Sequence, residues 1–224
     1  MGFILKKSGK WFGVFLLLNG LMILPGIAKA DDFQLWTEVK YAHTFPDKKL
    51  TLRWAEENRF FNDVSKFGLF NTTLGFDYRV FKWLRPGYFQ RIEKKIGSPT
   101  EVRFIPQLEF FAPMGPIQFE DRNRFEVRVF TDNDVRFRYR NRFKFGHTFQ
   151  TSPVSFTPYV SDEIFIETER TNPSQNRAIA GNSFGFAHDH IIFDLYYMFK
   201  SDKNNGAPGW TNANVLGTSL GFKY

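Results

Sequence analysis

The chain has 224 residues with no cysteine, 29 phenylalanines and a formal net charge of +7. The lack of cysteine excludes a disulfide framework and a lipid anchor attached to an N-terminal cysteine. Four of the 30 Lys and Arg residues lie in residues 1–30, the predicted signal peptide. The mature part therefore carries 26 Lys and Arg residues against 23 Asp and Glu residues. A net charge of +3 is too small for a general nucleic-acid-binding domain, and we expect no nucleic-acid partner.

The N-terminal segment, residues 1–30, predicts a cleaved secretory signal peptide. Three lysines precede an apolar run over residues 11–24, and the small residues of "AKA" at 28–30 follow it. The apolar run is short of the roughly 20 residues that a membrane-spanning helix needs. We therefore expect residues 31–224 to be exported as the mature protein.

Residues 31–224 predict a single domain of strands, because apolar and polar residues alternate along them and no window has sustained helical periodicity. Each run is long enough for a tilted strand to cross a bilayer, which takes about 9–11 residues. Strands of globular proteins are usually nearer five or six residues. The eleven strand-like runs are 32–44, 49–61, 67–80, 83–94, 101–112, 116–130, 135–147, 153–168, 176–187, 190–200 and 212–224.

The strand lengths predict an all-β fold, a transmembrane antiparallel up-and-down β-barrel with 10 or 12 strands. An even number is expected because single-chain bacterial barrels normally have one. The eleven runs leave two explanations open. Either one strand is split or merged in this assignment, or the segment after Asp31 threads back through the barrel.

A charged ladder occupies the centre of the chain. The turn "TDND" at 131–134 predicts a hairpin in which Glu126 faces Arg138 and Arg124 faces Arg140. Opposed like charges are destabilising, so neighbouring strands must supply counter-charges. The ladder consists of Arg122, Arg124, Glu126, Arg128, Arg136, Arg138, Arg140, Arg142 and Lys144, with Glu109, Glu163 and Glu167 on adjacent strands.

Two interpretations of the charged ladder remain open. A cross-strand network of ion pairs would stiffen the barrel wall. An excess of arginine would instead make an anion-selective lining or a binding site for an acidic ligand. Stacking of nucleic-acid bases is excluded, since the alternation turns Phe and Arg to opposite faces of each strand.

The C-terminal run ends on a strand face with Leu220, Phe222 and Tyr224. This pattern resembles the C-terminal assembly signal of bacterial outer-membrane barrels, which ends in an aromatic residue. It predicts the barrel-assembly machinery and outer-membrane lipid as partners. The pattern does not indicate an oligomeric state.

The best catalytic candidate is "AHDH" at 187–190, with Ser183 nearby. The histidines lie in a predicted tight turn, and the sequence places no serine within a recognised motif. We expect no enzyme activity, no cofactor and no metal site. A lipid hydrolase or acyltransferase, and a soluble periplasmic β protein that binds an apolar ligand, are the alternatives.

Several short motifs resemble the bacterial outer-membrane family catalogued as domain of unknown function 2490, over nearly all of residues 32–224. The resemblance implies a barrel without an assigned activity. We expect an integral outer-membrane barrel with a structural or passive small-solute channel role and an interior that favours anions. The motifs are "DFQLWTEV", "EENRF", "DRNRFEVRV", "RFRYRNRF", "SDEIFIE" and "QNRAIAG".

Overall fold

The computed structural model describes residues 30–168, 173–204 and 208–224. The predicted signal peptide therefore lies, except for Ala30, outside the described residues. Within those ranges no helix is long and apolar enough to cross a membrane. The strands are Asp32–Thr44 (β1), Leu50–Phe61 (β2), Lys66–Tyr78 (β3), Leu84–Lys95 (β4), Thr100–Met114 (β5), Ile117–Phe130 (β6), Val135–Gly146 (β7), Phe149–Thr151 (β8), Val154–Glu167 (β9), Pro173–Phe186 (β10), Ile191–Lys203 (β11) and Trp210–Lys223 (β12).

The twelve strands form one sheet that closes into a barrel. Strands β1 to β7 follow each other around the wall in chain order, and β9 to β12 complete it. The short β8 pairs with β9 outside this ring, so eleven strands make the wall. The predicted all-β barrel is confirmed. Its closed wall of eleven strands, with one further strand paired outside it, is compatible with the predicted 10 or 12 strands.

The barrel closes at a parallel seam between β1 and β12, whereas all the other strand pairs of the described residues are antiparallel. Thr37 lies opposite Thr218 at this seam. A chain that runs up and down an odd number of times brings its first and last strands together in the same direction, so the seam must be parallel. Strand β1 thus belongs to the wall and does not thread through the barrel.

The two faces of the wall are inverted relative to a soluble protein, in which large apolar residues are buried and charges are exposed. The side chain of Leu74 on the outer face is 63% exposed, whereas Glu126 on the inner face is 0% exposed. This follows from strand alternation, which turns successive side chains to opposite faces. The β6–β7 hairpin has the predicted register, with Val129 opposite Val135.

One side of the interior is apolar. Trp36, Met198 and Val215 form a buried cluster on β1, β11 and β12, and Tyr196 packs against it. The neighbouring Gly217 provides the space for this packing, because a Cβ atom there would lie 1.9 Å from Cζ of Tyr196. The absence of a side chain at position 217 therefore sets how closely β11 and β12 pack their inner faces.

We predict that Gly217→Ala lowers the urea concentration at which the barrel unfolds, since the added methyl overlaps the Tyr196 ring. Gly221→Ala is the matched control on the same strand, because its Cβ meets only atoms 3.7 Å or more away. Tryptophan fluorescence during unfolding measures both. Equal midpoints for the two variants would contradict the packing described for Tyr196.

The parallel seam predicts that cysteines replacing Thr37 and Thr218 form a disulfide on oxidation, because these residues are directly opposed. The chain has no other cysteine, so the bond is detected as faster migration of the denatured, unreduced protein. The pair Thr37→Cys with Leu216→Cys, which is two residues out of register, is the control. Crosslinking of the control alone would contradict the parallel register.

Candidate functional site

The charged ladder lies on the inner face of the barrel, where it forms one connected network with carboxylates from several strands. Glu126 accepts hydrogen bonds from Nε of Arg138 at 2.8 Å and from Nη1 of Arg140 at 2.6 Å. Arg140 also donates to Glu163 of β9 at 2.9 Å. The network therefore joins β6, β7 and β9 through charged side chains as well as through the backbone.

Glu163 is the most highly shared carboxylate of the network. Its oxygens lie 2.8 Å from a nitrogen of Arg122, 2.9 Å from Arg140 and 3.6 Å from Arg177. These three arginines come from β6, β7 and β10. One carboxylate thus contacts three arginines inside the lumen, of which Arg140 also pairs with Glu126.

A second group of pairs lies closer to the end of the barrel where the β4–β5 turn lies. Arg103 pairs with Glu93 at 2.6 Å, and Arg128 pairs with Glu101 at 2.6 Å. Arg128 also reaches Glu167 of β9, two strands away along the inner wall, at 3.2 Å. Two predicted ladder residues, Arg128 and Glu167, are thereby joined to strands β4 and β5.

Other ladder residues form ion pairs outside these two groups. Arg136 is 45% exposed at the start of β7 and pairs with Asp134 in the adjoining turn. Glu109 lies 3.6 Å from Arg85, and Arg142 pairs with Glu120. The predicted residues other than Arg136 line or border the lumen.

Arg124 and Lys144 have no carboxylate oxygen within 4.0 Å among the residues that the structure describes. Nε of Arg124 donates to the neutral Gln107 at 2.5 Å. The Lys144 ammonium lies 4.0 Å from the ring centroid of Tyr159. These two cations are therefore held by neutral groups.

Sequence reasoning missed aromatic residues inside the barrel, of which Phe165 and Trp36 are the most deeply buried among the described residues. The guanidinium of Arg59 stacks over Trp36 at 3.6 Å, and Arg140 and Arg177 lie 4.4 and 4.5 Å from the centre of Phe165. Such contacts favour cations that are removed from water. The signal was present in the alternation, which places Phe165 on the same face as Glu163 and Glu167.

Two cavities occupy the lumen, the wide cavity of about 530 Å³ and the narrow cavity of about 380 Å³. The residues common to both form the partition, which consists of Trp36, Arg59, Arg91, Arg140 and Arg177. Twelve Lys and Arg residues and six Asp and Glu residues line the wide cavity. The wide cavity is therefore strongly basic.

The candidate catalytic residues are not brought together. Ser183 donates a hydrogen bond to Asp194 in the lumen, whereas Nδ1 of His190 lies 2.7 Å from the carbonyl oxygen of Lys223. His188 has a positive φ of 57° in the β10–β11 turn. Among the described residues no group of three or more His, Asp or Glu could hold a metal ion.

Leu220 and Phe222 lie on the seam strand β12, and Tyr224 directly follows it. Leu220 and Tyr224 are exposed, and the Tyr224 ring lies 5.8 Å from that of Tyr41. Leu220 is opposite Val39, and Phe222 is opposite Tyr41, of β1. The predicted assembly signal is thus part of the parallel closure.

We predict that Glu163→Gln destabilises the barrel by roughly 3–5 kcal/mol, the usual cost of leaving buried charges without a partner. Urea unfolding followed by loss of the compact form on unheated gels measures this. Glu109→Gln is the control, since its cation lies at 3.6 Å and also faces Asp77. Partial recovery in Glu163→Gln/Arg177→Gln is expected, and no loss in Glu163→Gln would contradict the network.

Comparison with known protein families gives one result that bears on this geometry. The family model described as "Protein of unknown function (DUF2490)" matches residues 33–212. A search of curated proteins finds no match. The matched region runs from β1 to the start of β12, so it includes the whole charged network.

Proposed function

The chain belongs to the DUF2490 family of proteins of unknown function. On that premise we propose that it is an integral outer-membrane β-barrel whose lumen is a passive, constricted channel for small anions. The observation that carries the proposal is the inverted wall, with apolar side chains outside and charged ones inside. This is the arrangement of membrane barrels, whose outer face meets lipid and whose inner face is polar. The strands of the wall have 12–15 residues, which is enough to span a bilayer at a tilt.

A soluble protein with this outer face would expose a continuous apolar surface to water, which soluble monomers avoid. The exposed apolar residues include Leu74, Phe125, Phe143 and Val160, which come from four different strands around the barrel. A charged interior also offers an apolar ligand few contacts. These points favour a membrane barrel over a soluble carrier of apolar ligands.

The excess of cations in the wide cavity supports a preference for anions. Rings of Arg and Lys select anions in pores because they replace part of the hydration shell with fixed positive charge. Arg124 and Lys144 supply positive charge without a direct ion pair to any carboxylate of the described residues. Chloride and other small anions are the solutes that this lining favours.

A purely structural barrel is the second candidate, and the partition favours it. Arg59, Arg140 and Arg177 cross the interior against Trp36 and Phe165, and each is anchored by an ion pair. Side chains held in this way narrow the path between the cavities. Conductance therefore decides between the two candidates.

We predict that the protein fractionates with the outer membrane and migrates faster on a detergent gel when unheated, as closed barrels do. The terminal strand would engage the barrel-assembly machinery through Leu220, Phe222 and Tyr224, so Tyr224→Ser should lower the amount of the fast-migrating form in cells. Lys49→Ser, an exposed turn substitution, is the control. Recovery of the wild-type protein in the soluble periplasm would contradict the proposal.

We predict small, anion-selective single-channel currents in planar bilayers. In a KCl gradient, the reversal potential should have the sign expected when chloride is the more permeant ion. Arg177→Ala should raise the conductance several-fold, because Arg177 belongs to the partition. Arg53→Ala, which lines the wide cavity away from the partition, should change it little. Absence of current in the wild type and in Arg177→Ala would favour the structural role.

A further inference from the structure

We propose that the wide cavity holds a specific site for an oxyanion of the phosphate class, formed by Arg122, Arg124, Arg142 and Lys144. The inference rests on the proposed function, since it takes the lumen to be reached by small anions. It goes further by assigning a bound ligand, a place and a set of residues. All four residues line the wide cavity and come from the adjacent strands β6 and β7.

Like charges face each other on the β6–β7 wall. Arg122 lies directly opposite Arg142, and Arg124 directly opposite Arg140, in the β6–β7 ladder. Opposed like charges destabilise a sheet unless a counter-charge lies between or beside them. Glu120 pairs with Arg142 and Glu163 is shared by three arginines, so among the described residues these two carboxylates leave Arg124 and Lys144 without an ion pair.

Several arginines of the lumen carry buried hydrogen-bond donors. The Nε atoms of Arg122, Arg140, Arg142 and Arg177 are buried and have no acceptor among the described residues. The side chain of Arg140 is only 6% exposed. Buried donors are almost always paired, so these atoms indicate an acceptor that the protein itself does not provide.

The donors of arginine suit the oxygens of an oxyanion. A guanidinium presents its N–H groups as a planar fork that matches two oxygens of phosphate or carboxylate. Chloride is a single spherical acceptor, whereas a tetrahedral oxyanion offers several oxygens to arginines from different directions. Lys144 adds a compact positive charge that lies 4.0 Å from the ring centroid of the neutral Tyr159.

Size is consistent with a hydrated oxyanion. The wide cavity of about 530 Å³ is many times the roughly 30 Å³ that one water occupies in the liquid. A phosphate group can therefore enter with part of its hydration and bind against the β6–β7 wall. The room that remains allows a substituent, so both free phosphate and a phosphate monoester fit the site.

The test is calorimetry on the folded, purified full-length barrel in detergent at constant ionic strength. Inorganic phosphate, glycerol 3-phosphate and chloride are titrated separately, and the first two distinguish free phosphate from a headgroup-like ester. We expect saturable binding of at least one phosphate compound and none of chloride. Arg124→Gln/Lys144→Gln should weaken the binding at least tenfold.

The control variant Lys49→Gln/Lys82→Gln removes two exposed cations and should leave the affinity unchanged. Mobility of the unheated protein verifies that every variant is folded. Absence of phosphate binding to the wild type, or equal weakening in both variants, would overturn the inference. Anion currents without phosphate binding would refute the site alone, whereas phosphate binding by a barrel that never conducts would refute the channel and retain the site.

Discussion

Pairing of buried arginine with glutamate on the inner wall is the interaction on which the rest of the barrel depends. The β6–β7 hairpin alone sets Arg122 against Arg142 and Arg124 against Arg140, which would repel in isolation. Counter-charges arrive from β9 and β5, and Glu163 also reaches Arg177 of β10. The hairpin supplies two counter-charges of its own, Glu120 and Glu126, and relies on neighbouring strands to compensate Arg122 and Arg128. We infer that electrostatics couples the folding of adjacent hairpins.

On the outer face of the wall, neutral amides form hydrogen bonds with a carboxylate that lies among apolar side chains. Asp121, Asn123 and Asn141 lie in the middle of β6 and β7 and turn outward, where apolar side chains otherwise predominate. The Asn141 amide donates to Asp121 at 2.6 Å and to Asn123 at 3.1 Å, and Asn123 donates to Asp121 at 3.1 Å. A carboxylate with two amide donors costs less to hold away from water than a bare one. The cluster satisfies much of its hydrogen-bonding capacity internally.

Local features of the chain were predictable from the sequence, and long-range ones were not. Alternation and the "TDND" turn predict the strands and the pairing of Glu126 with Arg138, because both are set by residues close together in the chain. The inward position of Trp36 and Phe165 was missed, since an aromatic ring is suited either to lipid or to a stacked guanidinium. The β1–β12 seam was also not predicted, because the two strands are nearly the whole chain apart and no local turn relates them. The anion-binding role of the charged ladder stays a prediction.

The odd number of strands in the wall has a consequence for the direction of the chain. Asp31 bonds to Asn212 at one rim, whereas Tyr224 bonds to Ala42 at the other. An even meander returns its last residue to the rim where it started, so both tails stay in one compartment. Here the polypeptide makes an odd number of passes, so β1 begins at one rim and β12 ends at the other. In the proposed membrane barrel these two rims would face opposite sides of the bilayer, so one end of the chain would have to cross it during insertion.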